Sequence, residues 1–171
     1  MFLVTGASRA GKTSMLTALV SRETKWKHVV ASSVLREIGR PLILLDHETA
    51  HQNQRALVDE LRRRGLLNAS NTILDGHAVL DVRSDPLPLS DEDFDALGPS
   101  GIAVVRADVL CIQQRRIAAA RPQMSLASIN RFQSEEIEQS RYQAQRLRVP
   151  FLLIDSGDIS ALSRWLNEAQ A

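Results

Sequence analysis

Gly6-Ala7-Ser8-Arg9-Ala10-Gly11-Lys12-Thr13 fits the pattern G-x-x-x-x-G-K-[ST], and few eight-residue stretches restrict a fold as tightly. Such a loop functions only between a buried strand and a helix whose first turn faces the bound anion. Both neighbours are present. Phe2-Leu3-Val4-Thr5 is a short apolar run suited to a buried parallel strand. Met15, Leu16, Leu19 and Val20 then recur at helical spacing.

Each residue type in the loop has its own physical reason. Gly6 and Gly11 permit backbone angles and close approaches that a β-carbon would block. The loop then turns its N–H groups inward at the positive end of a helix, an anion cradle. Lys12 can reach the β- and γ-phosphates of a nucleotide, and the Thr13 hydroxyl can join a Mg²⁺ shell. The candidate nucleotide-binding set is therefore Gly6, Ala7, Ser8, Arg9, Ala10, Gly11, Lys12, Thr13 and Ser14. ATP and Mg²⁺ are the cofactors it implies.

Beyond the loop, short apolar strands alternate with amphipathic helices, which predicts a three-layer α/β fold of the P-loop NTPase kind with a five-stranded, mostly parallel sheet. Strands are expected at Lys27–Ala31, Asn71–His77, Ile102–Arg106 and Phe151–Asp155. Helices are expected at Ser33–Gly39, Thr49–Arg64, from Ser90 through Leu97, after Asp108, at Ala127–Arg148 and at Asp158–Ala169. Pro41–Leu45 reads as a packed connector, and the Pro- and Asp-rich stretch Asp81–Leu89 as an irregular crossover loop. Without repeats or a composition break, residues 1–171 are expected to form one domain.

In an open parallel sheet, ligands bind at the carboxyl ends of the strands. Asp75 ends an apolar strand there, so it is the natural second Mg²⁺ partner beside Thr13. His77, two residues on, shares its side of an extended chain and could meet an acceptor or order water. Arg115, Arg116, Arg121, Arg131 and Arg141 flank one irregular stretch between two helices, and a closing segment with arginines would stabilise a transferring phosphoryl group and expel water. A solvated helix hairpin is the plain alternative for any one of them. Arg62-Arg63-Arg64 falls in the last turn of a helix and reads as a solvated end.

The remaining composition mainly excludes. A net charge of +1 implies no general nucleic-acid-binding surface, although eighteen of the twenty-one basic residues are arginine. Cys111 alone forms no internal disulfide and no cysteine-rich metal site. No apolar run approaches a membrane span, and the loop's start at Gly6 leaves no room for a signal peptide, so a cytoplasmic monomer without a membrane partner is expected.

These segments together resemble the nucleoside monophosphate kinases, most closely the short archaeal-type and nuclear-type adenylate kinases. The resemblance runs through Gly6–Thr13, Ala31-Ser32-Ser33-Val34-Leu35-Arg36, Ile73-Leu74-Asp75-Gly76-His77, Gln114-Arg115-Arg116-Ile117 and Glu138-Gln139-Ser140-Arg141. It implies an acceptor nucleoside monophosphate near Ser33, Arg36 and His77, a short helical lid over about 117–130, and Arg115, Arg116 and Arg141 as catalytic arginines beside Lys12 and Asp75. Three features differ from that family. Ala78-Val79-Leu80 lacks the arginine that bacterial members carry shortly after the Asp-Gly pair to hold the acceptor phosphate, Ser8-Arg9 stands where Pro-Gly is usual, and the lid is short and poor in arginine. The expected activity is Mg²⁺-dependent transfer of the ATP γ-phosphoryl group to a nucleoside monophosphate, AMP first. A kinase for a hydroxyl acceptor remains open, as does an ATP-binding or ATPase assembly factor with a protein or ribonucleoprotein partner.

Overall fold

The computed structural model describes residues 1–43, 45–83 and 85–170. Leu44 of the expected connector, Ser84 of the expected crossover loop and the final Ala171 lie outside them. In chain order the elements are β1 (Phe2–Thr5), α1 (Lys12–Arg22), β2 (Lys27–Val30), α2 (Ala31–Glu37), α3 (His47–Arg63), β3 (Thr72–Asp75), β4 (Val79–Val82) and β5 (Asp85–Pro88). They continue with α4 (Asp91–Leu97), β6 (Gly101–Arg106), α5 (Val109–Ala118), α6 (Leu126–Leu147), β7 (Phe151–Asp155) and α7 (Ile159–Gln170).

Five strands form one parallel sheet in the order β2-β3-β1-β6-β7. Alternation along the strands splits the core into two layers. Leu3, Leu74 and Ile102 face α2, α3, α4 and the second half of α6, whereas Phe2, Val4, Ile73, Ala103 and Val105 face α1, α5 and α7. Phe2 makes edge-on contacts with Trp26 and Trp165, each at 5.6 Å between ring centres, closing the second layer at the base of the sheet.

Local chemistry sets the helix boundaries. Asp46 caps α3 by accepting from Thr49 N at 2.8 Å, and Asp108 caps α5 through Leu110 N and Cys111 N. Ser90 and Asp93 form a reciprocal capping box on α4. At the far end of α3, Glu60 receives hydrogen bonds from Arg63 and Arg64, which pull its carboxyl down to about 2. The triple arginine is thus a helix end engaged with its own acids.

The stretch expected to be an irregular loop is instead an antiparallel hairpin, β4 with β5. Two prolines and the aspartates conceal it in the sequence. Pro86 and Pro88 stand two apart, so their donor-less nitrogens point the same way, and Leu89 N donates to Ala78 O at 2.8 Å on the other parity. The prolines therefore sit on the outer edge of a two-stranded ribbon, where a missing N–H disturbs nothing. Val82 packs with Leu45 and Ala50, fastening the hairpin over the start of α3.

Ser90→Ala should lower unfolding stability by about 1 kcal/mol through loss of the cap. Nucleotide affinity should stay unchanged, because the capping box lies away from the phosphate loop; urea unfolding beside a nucleotide titration checks both.

Candidate active site

β1 delivers Thr5 into the phosphate loop, and α1 begins at Lys12 with Gly11 as its cap. No side chain caps α1 and its first turn holds no acid, so the helix presents bare N–H groups. Gly6 has φ +141°, and a β-carbon there would lie 2.3 Å from Val105 O. Gly11 has φ +107°, and its β-carbon would meet Ser156 Oγ at 2.5 Å. Arg9 occupies the left-handed region at φ +72°, where a residue with a β-carbon carries strain that glycine would not.

Lys12 is buried and folds back over the loop, donating from Nζ to Gly6 O at 2.6 Å. Burial lowers its pKa, while the negative charges of Asp75 and Glu136 work against that. Thr13 Oγ1 donates to Asp75 Oδ2 at 2.6 Å, which brings the two expected Mg²⁺ ligands together. His28, not anticipated from the sequence, places Nε2 3.4 Å from the same carboxylate oxygen. Burial alone would raise the Asp75 carboxyl; His28, Lys12 and Thr13 together hold it below its ordinary value. Among the described residues no group of three or more His, Cys, Asp or Glu forms a metal cluster. Two converging hard oxygens nevertheless suit Mg²⁺, which keeps most of its shell for water and phosphate.

His77 also stands at this strand end. Its Nδ1 lies 2.7 Å from Oε1 of Glu136, whose other oxygen accepts from Ala78 N at 2.8 Å. Glu136 comes from α6 and is 1% exposed. Its partner could not be read from the sequence, because 59 positions separate it from His77.

The arginines divide. Arg115 Nη1 braces the outside of the loop by donating to Ala10 O at 3.0 Å and Arg9 O at 3.3 Å. Arg116 is buried, donates from Nη2 to Pro122 O at 2.9 Å, and leaves Nε without a partner among the described residues. Desolvation lowers its pKa; Asp81 opposes this, and nearby Arg121 and Arg9 add to it. Arg141 does not join them. Its guanidinium lies 5.5 Å from the ring centre of Phe151, which opens β7, so it stands toward the end of the sheet away from the loop. Ser33 is likewise turned aside: α2 starts at Ala31, and its cleft-facing stripe is Ser32, Leu35 and Arg36.

One cleft of about 1490 Å³ joins these groups, running from the phosphate loop past Asp75 and His77 to a hollow beside α2 and α3. The α5–α6 connection, including Arg121 and Pro122, roofs the loop end.

The profile of a family described as AAA domain matches residues 5–133, more than half of the chain, and the chain belongs to that family. No curated protein matches. Among solved structures, a gluconokinase from Sinorhizobium meliloti 1021 superposes with a TM-score of 0.55 at 13% identity, over 99% of this chain and 90% of that one. A protein described as a kinase from Chloroflexus aurantiacus J-10-fl gives 0.57 at 18% identity, over 98% and 96%. At these identities the likeness is one of fold. Loop, sheet and family make the chain a P-loop protein with the architecture of ATP-dependent kinases. Among the described residues no helix is long and apolar enough to cross a membrane.

Because the folded Asp75 carboxyl lies below its ordinary value of 3.8, the stability it contributes is fully present above that value and is lost as pH falls through the lower folded one. Asp75→Asn removes the contribution, so its urea midpoint should fall less than the parent's between about pH 5 and about pH 3. Equal losses would show that Asp75 carries none of the acid sensitivity.

Proposed function

We propose that the chain transfers the γ-phosphoryl group of ATP to a nucleoside monophosphate, AMP first. The observation that carries the reading is the shape of the cleft. Single-ligand pockets hold roughly 300–1,000 Å³, and a continuous space of about 1490 Å³ has room for a donor and an acceptor side by side. Its far hollow is walled by Leu35, Leu42, Leu45, Leu57 and Leu80, which suits the flat faces of a base. Arg36, exposed and without an acidic partner among the described residues, stands on the same wall to receive an acceptor phosphate.

In phosphoryl transfer the protein mainly positions and neutralises. The loop amides and Lys12 hold the donor's phosphates, and Thr13 with Asp75 would hold Mg²⁺. When bound, Mg²⁺ would neutralise charge on the donor's phosphates. Arg116 and Arg121 reach the transferring group from the roof, which also excludes water that would compete as acceptor. Arg115 acts on the loop from outside.

A second reading has its own support. With Glu136 ionised, His77 holds its proton on Nδ1, and Nε2 is free to accept one. An alcohol has such a proton to give and a phosphate dianion has none, so this pair favours a hydroxyl acceptor.

A panel of monophosphates and small hydroxy acids, offered with MgATP and scored for phosphorylated product, separates the readings. Diphosphate formation supports the first, and phosphate-ester formation alone supports the second. ADP release that no acceptor stimulates refutes transfer. Lys12→Ala should reduce turnover by at least about a hundredfold, the scale for losing one preorganised charge contact, with an unchanged circular dichroism spectrum. Undiminished turnover would refute the role given to Lys12.

A further inference from the structure

Asn53 and Gln54 are neighbours on α3 and both are buried, yet their amides are used differently. Asn53 Oδ1 accepts from Arg40 Nε at 2.7 Å, and its Nδ2 donates to Pro41 O at 2.7 Å, which pins the connector to the helix. Gln54 is 6% exposed and has no hydrogen-bond partner among the described residues. It lines the hollow between the leucine walls of the cleft. Other inward-turned glutamines are engaged: Gln133 bonds both N and O of Ala107, Gln139 reaches Leu89 O, and Gln143 reaches Asp91. The Gln54 amide is not sealed from solvent but opens to the cleft, so water meets it there until a ligand takes that place and must offer matching hydrogen bonds.

We propose that Gln54 reads the hydrogen-bonding edge of the acceptor's base and selects adenine, an inference that rests on the nucleotide-acceptor reading above. A carboxamide sets one donor beside one acceptor, the pattern complementary to adenine N7 and N6. The same edge of guanine presents two acceptors, N7 and O6, and leaves the Gln54 carbonyl facing one of them. The leucine walls discriminate little between bases, because every base has an apolar face. A sugar acid would bring several hydroxyls to walls that offer one amide. Selectivity therefore falls to Gln54, since a buried polar group left unpaired by the wrong ligand is what rejects that ligand strongly.

The test compares the parent with Gln54→Leu and the near-isosteric Gln54→Met, using MgATP and AMP, GMP, CMP or UMP in turn. The parent should favour AMP over GMP in kcat/KM by about tenfold or more, and both variants should lose most of that ratio through the AMP value. The affinity for an ATP analogue should not change. Thermal midpoints should hold, since no hydrogen bond within the protein is removed, and this separates a specificity effect from misfolding. A parent that phosphorylates monophosphates while folded variants keep the AMP-to-GMP ratio overturns the inference alone. A parent that phosphorylates no monophosphate overturns the acceptor reading, and the inference with it.

Discussion

The structure turns on the burial of one ammonium group. Lys12 is 5% exposed, and taking a charge that far out of water costs several kcal/mol unless polar groups replace the lost solvent. The replacement comes from the loop itself, through Gly6 O at 2.6 Å, with the carboxylates of Asp75 and Glu136 adding favourable charge. That arrangement requires the backbone of Gly6 to lie against Val105 O, where no β-carbon fits. The spacing of β1 and β6, the glycine and the lysine are thus one unit.

What could be read from the sequence is what depends on near neighbours. The loop, the strand that carries Asp75, and the caps at Ser90 and Asp108 follow from residues within a few positions of one another. The hairpin was hidden because proline argues against strands in general, and only a two-stranded ribbon offers it a harmless edge on both sides. Arg115 and Arg116 look equivalent in sequence. On a helix, however, consecutive residues point about 100° apart, so one braces the loop from outside while the other is buried under the roof. Arg141 fails as an active-site residue for a similar reason: α6 is 22 residues long, and this position reaches Phe151 near the start of β7. Glu136 and His28 gave no signal, because both matter only through contacts across the fold.

The excess of arginine over lysine has two separate explanations. Many arginines are committed to surface pairs, such as Arg106 with Asp155 and Arg146 with Asp95. Such exposed pairs contribute little stability, and they require no ligand. Those around the cleft behave differently. Arg9 and Arg121 disfavour the charge on Arg116, while Asp81 favours it. Like charges are held together there beside the uncapped amides of α1, an arrangement suited to a polyphosphate.

The missing arginine after Asp75-Gly76-His77 has a structural reason. Ala78 is fully buried, its N–H is given to Glu136, and its carbonyl accepts from Leu89 as the hairpin begins. Val79 then enters β4 and is itself buried. Ala78 holds α6 and the hairpin to the end of β3, while Val79 and Leu80 give the cleft apolar side chains in place of a cation. The same Glu136 that occupies Ala78 N–H also fixes His77, and α2, starting one residue after β2, turns Arg36 to the cleft. On the proposed reading, the acceptor's charge is met by Arg36 from α2, and Ala78 is left to hold the fold. An arginine placed at Ala78 would therefore not restore a lost contact; it would bury a guanidinium where a methyl group now packs.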